Sequence, residues 1–354
     1  MFRVRILADR LTNQNTAALL YPIFRFKQLA REQGLDIDIL FENRVDQSNP
    51  DLLVVFDRFL GARDGREKVG QHLNELGKSA GALAYFDTGD SSGLLHREAL
   101  EASDIYLKSF VLKPRERYSE AHYGGRAFTD YYHRRCAVTD DVPLWSEPVT
   151  DSSKLDKVRV AWSPALFPYQ RWANRAAKAY RFVRMPLLLR WPRYYRSPRT
   201  PRPLMASCRM SSGHNRRSVV YQRECLQQAL VGIVDTDFIS RRGYEAEMRR
   251  ARAVISPFGW GEYAIRDYEA MESGAALIKP DMSHLETWPA IYQAGETYVP
   301  LHWDLNDLSD IFARLAQDSE SFIAIAERGQ SALRAAQSDG SAFVRHLTDV
   351  LRVD

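Results

Sequence analysis

One stretch of the sequence combines the residue types that bind a phosphate group. An apolar run at 254–256 predicts a buried strand, and a loop with Gly259 and Gly261 leads from it into a helical pattern. Glycine lets the backbone approach a ligand closely, and the first N–H groups of a helix can hold a phosphate. Arg266 lies one turn into the helix, so its guanidinium can bind the same anion.

A carboxylate follows this arginine at a spacing that suits a sugar. Glu269 lies three residues after Arg266 on the same helical face, where it can accept hydrogen bonds from a vicinal diol such as ribose. An anion site beside a diol site indicates a nucleotide. The stretch 259–264 also fits the G-x-G-x-x-A pattern of dinucleotide folds, with Asp281 as the acid. That alternative is weaker because Pro257 and Phe258 separate the strand from the glycine.

The same stretch resembles the C-terminal half of GT-B glycosyltransferases, especially the exostosin-like and CgeB-like groups. Their S/P-P-x-G loop, R-x-x-E-A helix start and glycine before an apolar strand match residues 256–259, 266–270 and 274–278 in order and spacing. The resemblance covers about residues 204–335. It implies transfer of a sugar from a nucleotide-sugar to an acceptor hydroxyl, with the donor mainly on the C-terminal domain.

The resemblance also implies further donor-binding residues. In the loop after the first strand of the second domain, Arg216 or Arg217 would meet the diphosphate. Many retaining members carry two glutamates eight positions apart, whereas Glu262 and Glu269 are seven apart, so inverting and retaining courses both stay open. Glu262 is alternatively a first-turn partner of the helix dipole.

An inverting transferase needs a general base, because the acceptor hydroxyl loses its proton as it attacks. Asp87 and Asp90 follow a predicted strand of the first domain and are the candidates, with His96 as a weaker one. Both aspartates could instead shape the turn around Gly89. Arginines at the diphosphate remove the need for a metal, so we expect no metal or other cofactor.

The alternation of short apolar strands with helical patterns predicts an α/β fold. We expect two Rossmann-like domains in the GT-B arrangement, with parallel sheets covered by helices on both faces and a cleft between the domains. The predicted division is listed by residue number: 1–162, the acceptor-side domain; 163–203, a basic aromatic crossover; 204–338, the nucleotide-sugar domain; and 339–354, a helix that packs back on the first domain.

The charge of the chain is unevenly distributed. It has 354 residues, with 49 Lys or Arg and 45 Asp or Glu. Residues 157–223 carry 16 of the basic residues and no acidic one, which leaves 33 basic and 45 acidic residues elsewhere. This pattern excludes a uniformly basic nucleic-acid coat and predicts a localised cationic segment, the crossover, that meets an anionic partner.

A helical pattern at 172–185 suggests what that partner is. Its predicted apolar face consists of Trp172, Ala176, Ala179, Tyr180 and Val183. Its predicted cationic face consists of Arg171, Arg175, Lys178, Arg181 and Arg184. Such a helix suits an anionic membrane surface, here through residues 171–202. It could equally pack its apolar stripe on the protein, and binding to nucleic acid is a third, less favoured interpretation.

The compartment is predicted from what the sequence carries near its start and in its cysteines. The first residues lead directly into a strand without a signal-peptide pattern, and the three cysteines lack metal or disulfide spacing. We therefore expect a cytoplasmic protein, peripheral on the inner face of the membrane, that acts in surface polysaccharide assembly. The alternatives are a membrane- or nucleic-acid-binding protein on an inactive scaffold and a nucleotide-sugar epimerase of the same fold.

Overall fold

The computed structural model describes residues 1–11, 13–41, 49–61, 68–211, 213 and 215–353. Within these ranges the N-terminal domain has a parallel sheet of six strands in the order β2-β1-β3-β4-β5-β7. The strands are β1 (Phe2–Leu7), β2 (Leu35–Leu40), β3 (Leu52–Phe56), β4 (Ala82–Asp87), β5 (Ile105–Lys108) and β7 (Val158–Val160). Its central strands β3 and β4 are buried along their whole length, which explains their unbroken apolar runs.

Helices follow the strands of this domain in the alternation that the sequence predicts, with one exception. They are α1 (Gln14–Glu32), α2 (Asp57–Gly61), α3 (Val69–Gly77), α4 (Arg97–Ala102) and α5 (Ala127–Cys136). The sequence pattern does not indicate α5, because it lies in an aromatic stretch with weak periodicity. Its buried residues include Phe128 and Tyr132, which face the second domain: Phe128 stacks on Phe258, with ring centroids 4.5 Å apart.

The C-terminal domain has a second parallel sheet, in which the described strands follow the order β12-β10-β9-β8. These strands are β8 (Leu204–Ser207), β9 (Ala251–Ile255), β10 (Ala276–Pro280) and β12 (Val299–Leu301). The helices are α7 (Arg217–Ala229), α8 (Arg241–Met248), α9 (Ile265–Ser273), α10 (Leu308–Gln317) and α11 (Ser319–Ser338). Gly274 ends α9 in the left-handed conformation, with φ 74°, which glycine adopts without strain.

The short apolar run at 231–234 predicts a further strand of this domain, and this prediction is wrong. Residues 231–234 form a turn after α7 instead, with Gly232 at φ 76° and Val231 exposed. In the described part of the chain β8 pairs with β9 and forms the edge of the sheet, so the run at 231–234 adds no strand beside it. The glycine therefore makes a turn and does not extend the sheet.

The crossover between the domains carries one helix, α6 (Arg171–Val183). A two-stranded antiparallel ribbon also joins the domains, formed by β6 (Phe110–Leu112) and β11 (Leu285–Thr287). The chain then returns to the first domain through α12 (Gly340–Leu351), which packs on α1. The ring centroids of Phe343 and Phe26 are 5.7 Å apart. The structure thus has two Rossmann-like α/β domains, which confirms the predicted fold class.

Among the described residues, no helix combines the length and the apolar character needed to span a membrane.

Candidate active site

The start of α9 is fixed by a buried aspartate. Asp267 Oδ2 accepts a hydrogen bond from the backbone N–H of Ala264 at 3.0 Å and lies 3.0 Å from Lys279 Nζ. Its Oδ1 accepts a hydrogen bond from Ser256 Oγ at 2.5 Å. A carboxylate therefore already occupies the positive end of this helix. An anion bound beside α9 depends on side chains more than on the helix N-terminus that the sequence suggested.

The glycine loop contacts the other domain. A Cβ on Gly261 would lie 2.3 Å from the backbone oxygen of Asp90, so only glycine fits this contact. Gly259 donates its N–H to Gly261 O at 2.9 Å, which closes the loop on itself. The sequence predicted that a ligand approaches the backbone of this loop closely. At Gly261 the group that does so is the backbone of the N-terminal domain.

Two arginines, Arg223 and Arg266, interact electrostatically near the carboxyl ends of β8 and β9. Arg223 donates to the backbone oxygens of Phe258 at 3.0 Å and Ser211 at 2.7 Å, which follow these strands. Burial and then the positive charge of Arg266 lower the pKa of Arg223 to about 10. Arg266 Nε is buried and has no hydrogen-bond partner within the described ranges. Two like charges held this close indicate a site for an anion.

Glu269 lies three residues after Arg266 on α9 and interacts with it. Its buried carboxylate accepts hydrogen bonds from Arg241 Nη2 at 2.5 Å and Tyr244 Oη at 3.3 Å. Burial raises the pKa of Glu269, against the opposing effect of Arg241 and Arg266. The residue lines a cavity of about 880 Å³ between the crossover and α8. Each oxygen accepts one of these hydrogen bonds and can accept another, so a ribose hydroxyl could add to Arg241 and Tyr244 as a donor.

Glu262 lies in the loop before α9, which corrects the alternative that it belongs to the first helical turn. Its Oε1 accepts a hydrogen bond from Ser92 Oγ of the N-terminal domain. Its Oε2 is buried and has no partner among the residues that the structure describes. Burial raises the pKa of Glu262, while Ser92, Arg126 and Lys108 oppose the shift. The residue therefore links the two domains at the side of the glycine loop.

The two candidate bases have different environments. Asp87 is buried at the end of β4, where its Oδ2 lies 2.5 Å from Lys108 Nζ and accepts a hydrogen bond from Tyr106 Oη at 2.9 Å. Burial raises the pKa of Asp87, but Lys108 and His96 outweigh it, so the pKa falls below its ordinary value. Its Oδ1 accepts the N–H of Gly89 at 2.8 Å. This is the turn-forming arrangement weighed above, and it leaves Asp87 no access to an acceptor.

Asp90 lies between the domains and is partly exposed. Its Oδ1 accepts hydrogen bonds from Tyr263 Oη at 2.9 Å and Asn15 Nδ2 at 3.3 Å. Tyr263 belongs to the loop before α9, so Asp90 contacts the glycine loop through both its side chain and its backbone. Of the two aspartates, Asp90 is the one positioned to meet a ligand between the domains.

Arg216 and Arg217 lie at the start of α7 with different surroundings. Arg216 is half-buried and close enough to Arg126 to lower its pKa, whereas Arg217 is exposed. The next residue, Ser218, donates its N–H and Oγ to Asp140 at 2.8 and 2.7 Å. The structure thus brings Arg216 to the domain interface and leaves Arg217 on the surface.

Arg126 is a site residue that the sequence reasoning missed. Its buried guanidinium lies 5.2 Å from the ring centroid of Trp260 and interacts with Glu262 and Asp90. It follows Gly124 and Gly125, whose φ values are 69° and 70°. A pair of glycines is typical of a turn with positive φ. This pair was the sequence signal for the turn that positions Arg126.

No group of three or more His, Cys, Asp or Glu in the described ranges is placed to hold a metal ion. No family model and no curated protein matches the chain.

Several solved structures are similar over 99% of both chains. They include Anabaena Alr3699/HepE in complex with UDP-glucose, at 10% identity and a TM-score of 0.41. The β-glucosyltransferase of T4 phage has 12% identity and a TM-score of 0.44. An α,α-trehalose-phosphate synthase from Burkholderia vietnamiensis has 13% identity and a TM-score of 0.46. Identities and TM-scores this low establish neither a family nor an activity for this chain.

Proposed function

We propose that the chain is a glycosyltransferase that moves a sugar from a nucleotide-sugar donor to the hydroxyl of an acceptor. The observation that carries this proposal is the interaction of Arg266 with both Arg223 and Glu269, near the carboxyl ends of the C-terminal sheet. Two cations with a carboxylate one helical turn away suit a diphosphate joined to a ribose. Arg216, Gly259 and Glu262 complete the donor side of this proposal.

In the proposed reaction the acceptor oxygen attacks the anomeric carbon as the bond to the diphosphate breaks. Arg223 and Arg266 stabilise the negative charge that develops on the leaving nucleoside diphosphate. In an inverting reaction Asp90 takes the proton of the acceptor hydroxyl, because it lies on the N-terminal side of the interface. The two arginines supply this charge stabilisation from the chain itself, and we propose that no metal is needed.

We further propose a glycan or lipid-linked acceptor in surface polysaccharide assembly. The cationic crossover supports an acceptor held at an anionic membrane, since residues 157–223 carry no acidic side chain. This part of the proposal concerns where the acceptor is met and is separate from the chemistry of the donor site.

The donor site is tested with a panel of nucleotide-sugars, measuring the shift in melting temperature and the release of nucleoside diphosphate. One donor should stabilise the protein, and Arg266→Ala should weaken this binding at least tenfold, because a hydrogen bond between charged groups contributes about 1.5–3 kcal/mol. Arg314→Ala is the matched control, since Arg314 is exposed on α10 of the same domain.

The proposal would be contradicted if no donor shifted the melting temperature or released nucleoside diphosphate. It would also be contradicted if the Arg266 and Arg314 variants bound the donor equally. Turnover of donor to an isomer without acceptor would identify an epimerase instead.

A further inference from the structure

The outer side of the crossover exposes large apolar side chains next to cationic ones. Phe182 and Leu187 are 75% and 69% exposed. The exposed apolar residues of this surface, which we call the crossover face, are Trp172, Phe182, Val183, Met185, Leu187, Trp191 and Tyr194. Three of them, Trp172, Trp191 and Tyr194, also line the cavity beside Glu269. Contiguous exposed apolar groups mark surfaces that bind a partner.

The crossover face is held rigidly by its inner side. Ala173 and Ala176 of α6 are buried, and Tyr180 packs on Phe24 of α1 with ring centroids 5.3 Å apart. Leu189 is buried and accepts a hydrogen bond on its backbone oxygen from Tyr21 Oη at 2.7 Å. The face is therefore presented by the folded protein before any partner arrives.

This packing divides the residues of the predicted apolar face of α6 between the protein and the solvent. Ala176 and Tyr180 pack on the protein, but Trp172 and Val183, which the pattern placed beside them, point outward. On the outer side Trp172 lies between Arg171 and Arg175, whose Cζ atoms are 5.3 and 5.0 Å from its ring centroid. Apolar and cationic groups thus share one surface.

The charged residues that the crossover itself contributes to this surface have one sign. Every charged residue between 157 and 223 is basic. Arg171, Arg175 and Lys178 are exposed on α6, and Arg184 and Arg190 are exposed just after it. A second copy of the chain docking by the same face would bring like charges together, whereas an anionic surface would be attracted.

We propose that the crossover face binds an anionic lipid bilayer. Trp172, Phe182 and Leu187 enter the boundary between headgroups and acyl chains, while the basic residues contact the headgroup phosphates. Aliphatic side chains decide between lipid and nucleic acid: Val183, Met185 and Leu187 cannot stack on bases as aromatic rings do. The inference does not depend on the proposed transferase activity.

The test is sedimentation of the full chain with vesicles of phosphatidylcholine alone or with about one third phosphatidylglycerol, at low and high salt. Binding should require the anionic lipid and weaken with salt. The triple variant W172S/F182S/L187S should lower the partition coefficient about tenfold or more, because each buried apolar side chain contributes to binding. R171Q/R175Q/K178Q should lower it by a similar factor and remove most of the salt dependence.

The matched control is V142S/L144S, which removes two exposed apolar residues of the N-terminal domain and should bind vesicles as the unchanged chain does. Melting temperatures of all variants report whether they fold, and donor binding by Arg266→Ala is measured separately. Absent vesicle binding, equal binding to neutral and anionic vesicles, or equal losses in the control would each overturn the inference. The inference would also be overturned if the chain bound a single-stranded RNA but no vesicles, and if the apolar substitutions abolished that RNA binding.

Discussion

Asp90 and Asp87 are three residues apart, yet the structure gives them different chemistry. Asp90 is partly exposed between the domains, whereas Asp87 is buried against Lys108. The same residue type can act as a base only where the acceptor can reach it, so burial decides between the two.

For the residue scale we predict that Asp90→Asn lowers kcat by about a hundredfold or more, because it removes the proton acceptor. Donor binding should change little, since Arg223, Arg266 and Glu269 are untouched. Turnover is measured together with the melting shift caused by the donor.

Asp87→Asn is the contrasting variant. It leaves Lys108 buried without its carboxylate, which costs about 3–5 kcal/mol of stability. It should therefore lower the melting temperature strongly, while Asp90→Asn should not. If Asp90→Asn turns over normally, Asp90 is not the base.

At the scale of elements, α9 carries more than the donor residues. Its next turn places Glu272 against the cavity wall, where burial raises the pKa of Glu272 to about 7. Arg193 and a hydrogen bond from Gln337 oppose this shift, and Glu269 adds to it. The helix thus holds two carboxylates at a cost in stability.

The pKa of Glu272 gives a prediction with a definite sign. Between its ordinary pKa of 4.5 and the folded value of about 7, the folded state binds more protons than the unfolded one. The free energy of unfolding therefore falls as pH rises through this window, by on the order of 3 kcal/mol in total. Glu272→Gln should remove this loss, so it should be more stable than the unchanged chain at pH 8 but not at pH 4.5.

Urea unfolding at both pH values checks this prediction. Glu75→Gln, which changes an exposed glutamate of α3, should follow the unchanged chain at each pH. A constant difference between the Glu272 variant and the unchanged chain across the window would contradict the assignment.

The elements also show how far the sequence predicts this molecule. Buried strands such as β3 are predictable from their apolar runs, and the end of α9 is predictable from the glycine at position 274. The pairing of β6 with β11 joins segments about 170 residues apart, which no local pattern encodes. For the same reason Ser92, the partner of Glu262 from the other domain, was not predictable.

At the scale of the whole molecule, the contact of Gly261 with Asp90 sets how closely the domains approach. We predict that Gly261→Ala lowers turnover far more than donor binding, because the added Cβ would lie 2.3 Å from the Asp90 backbone oxygen. The proposed donor residues lie on one domain, whereas the proposed transfer needs both. Turnover, the donor-induced melting shift and the radius of gyration measure the effect.

Gly77→Ala is the control, because its Cβ would meet Leu83 at an ordinary 3.5 Å. Full turnover by Gly261→Ala would show that this contact is not needed for the reaction.

The return of α12 to the first domain has a consequence for synthesis. Phe343, Val344 and Leu347 belong to the same core as Val4, Ile6 and Val54. On the ribosome, the first domain therefore emerges without part of its core and waits until the second domain has been translated. The order of translation thus makes completion of the first domain depend on the arrival of the second, and the two halves of the molecule mature together.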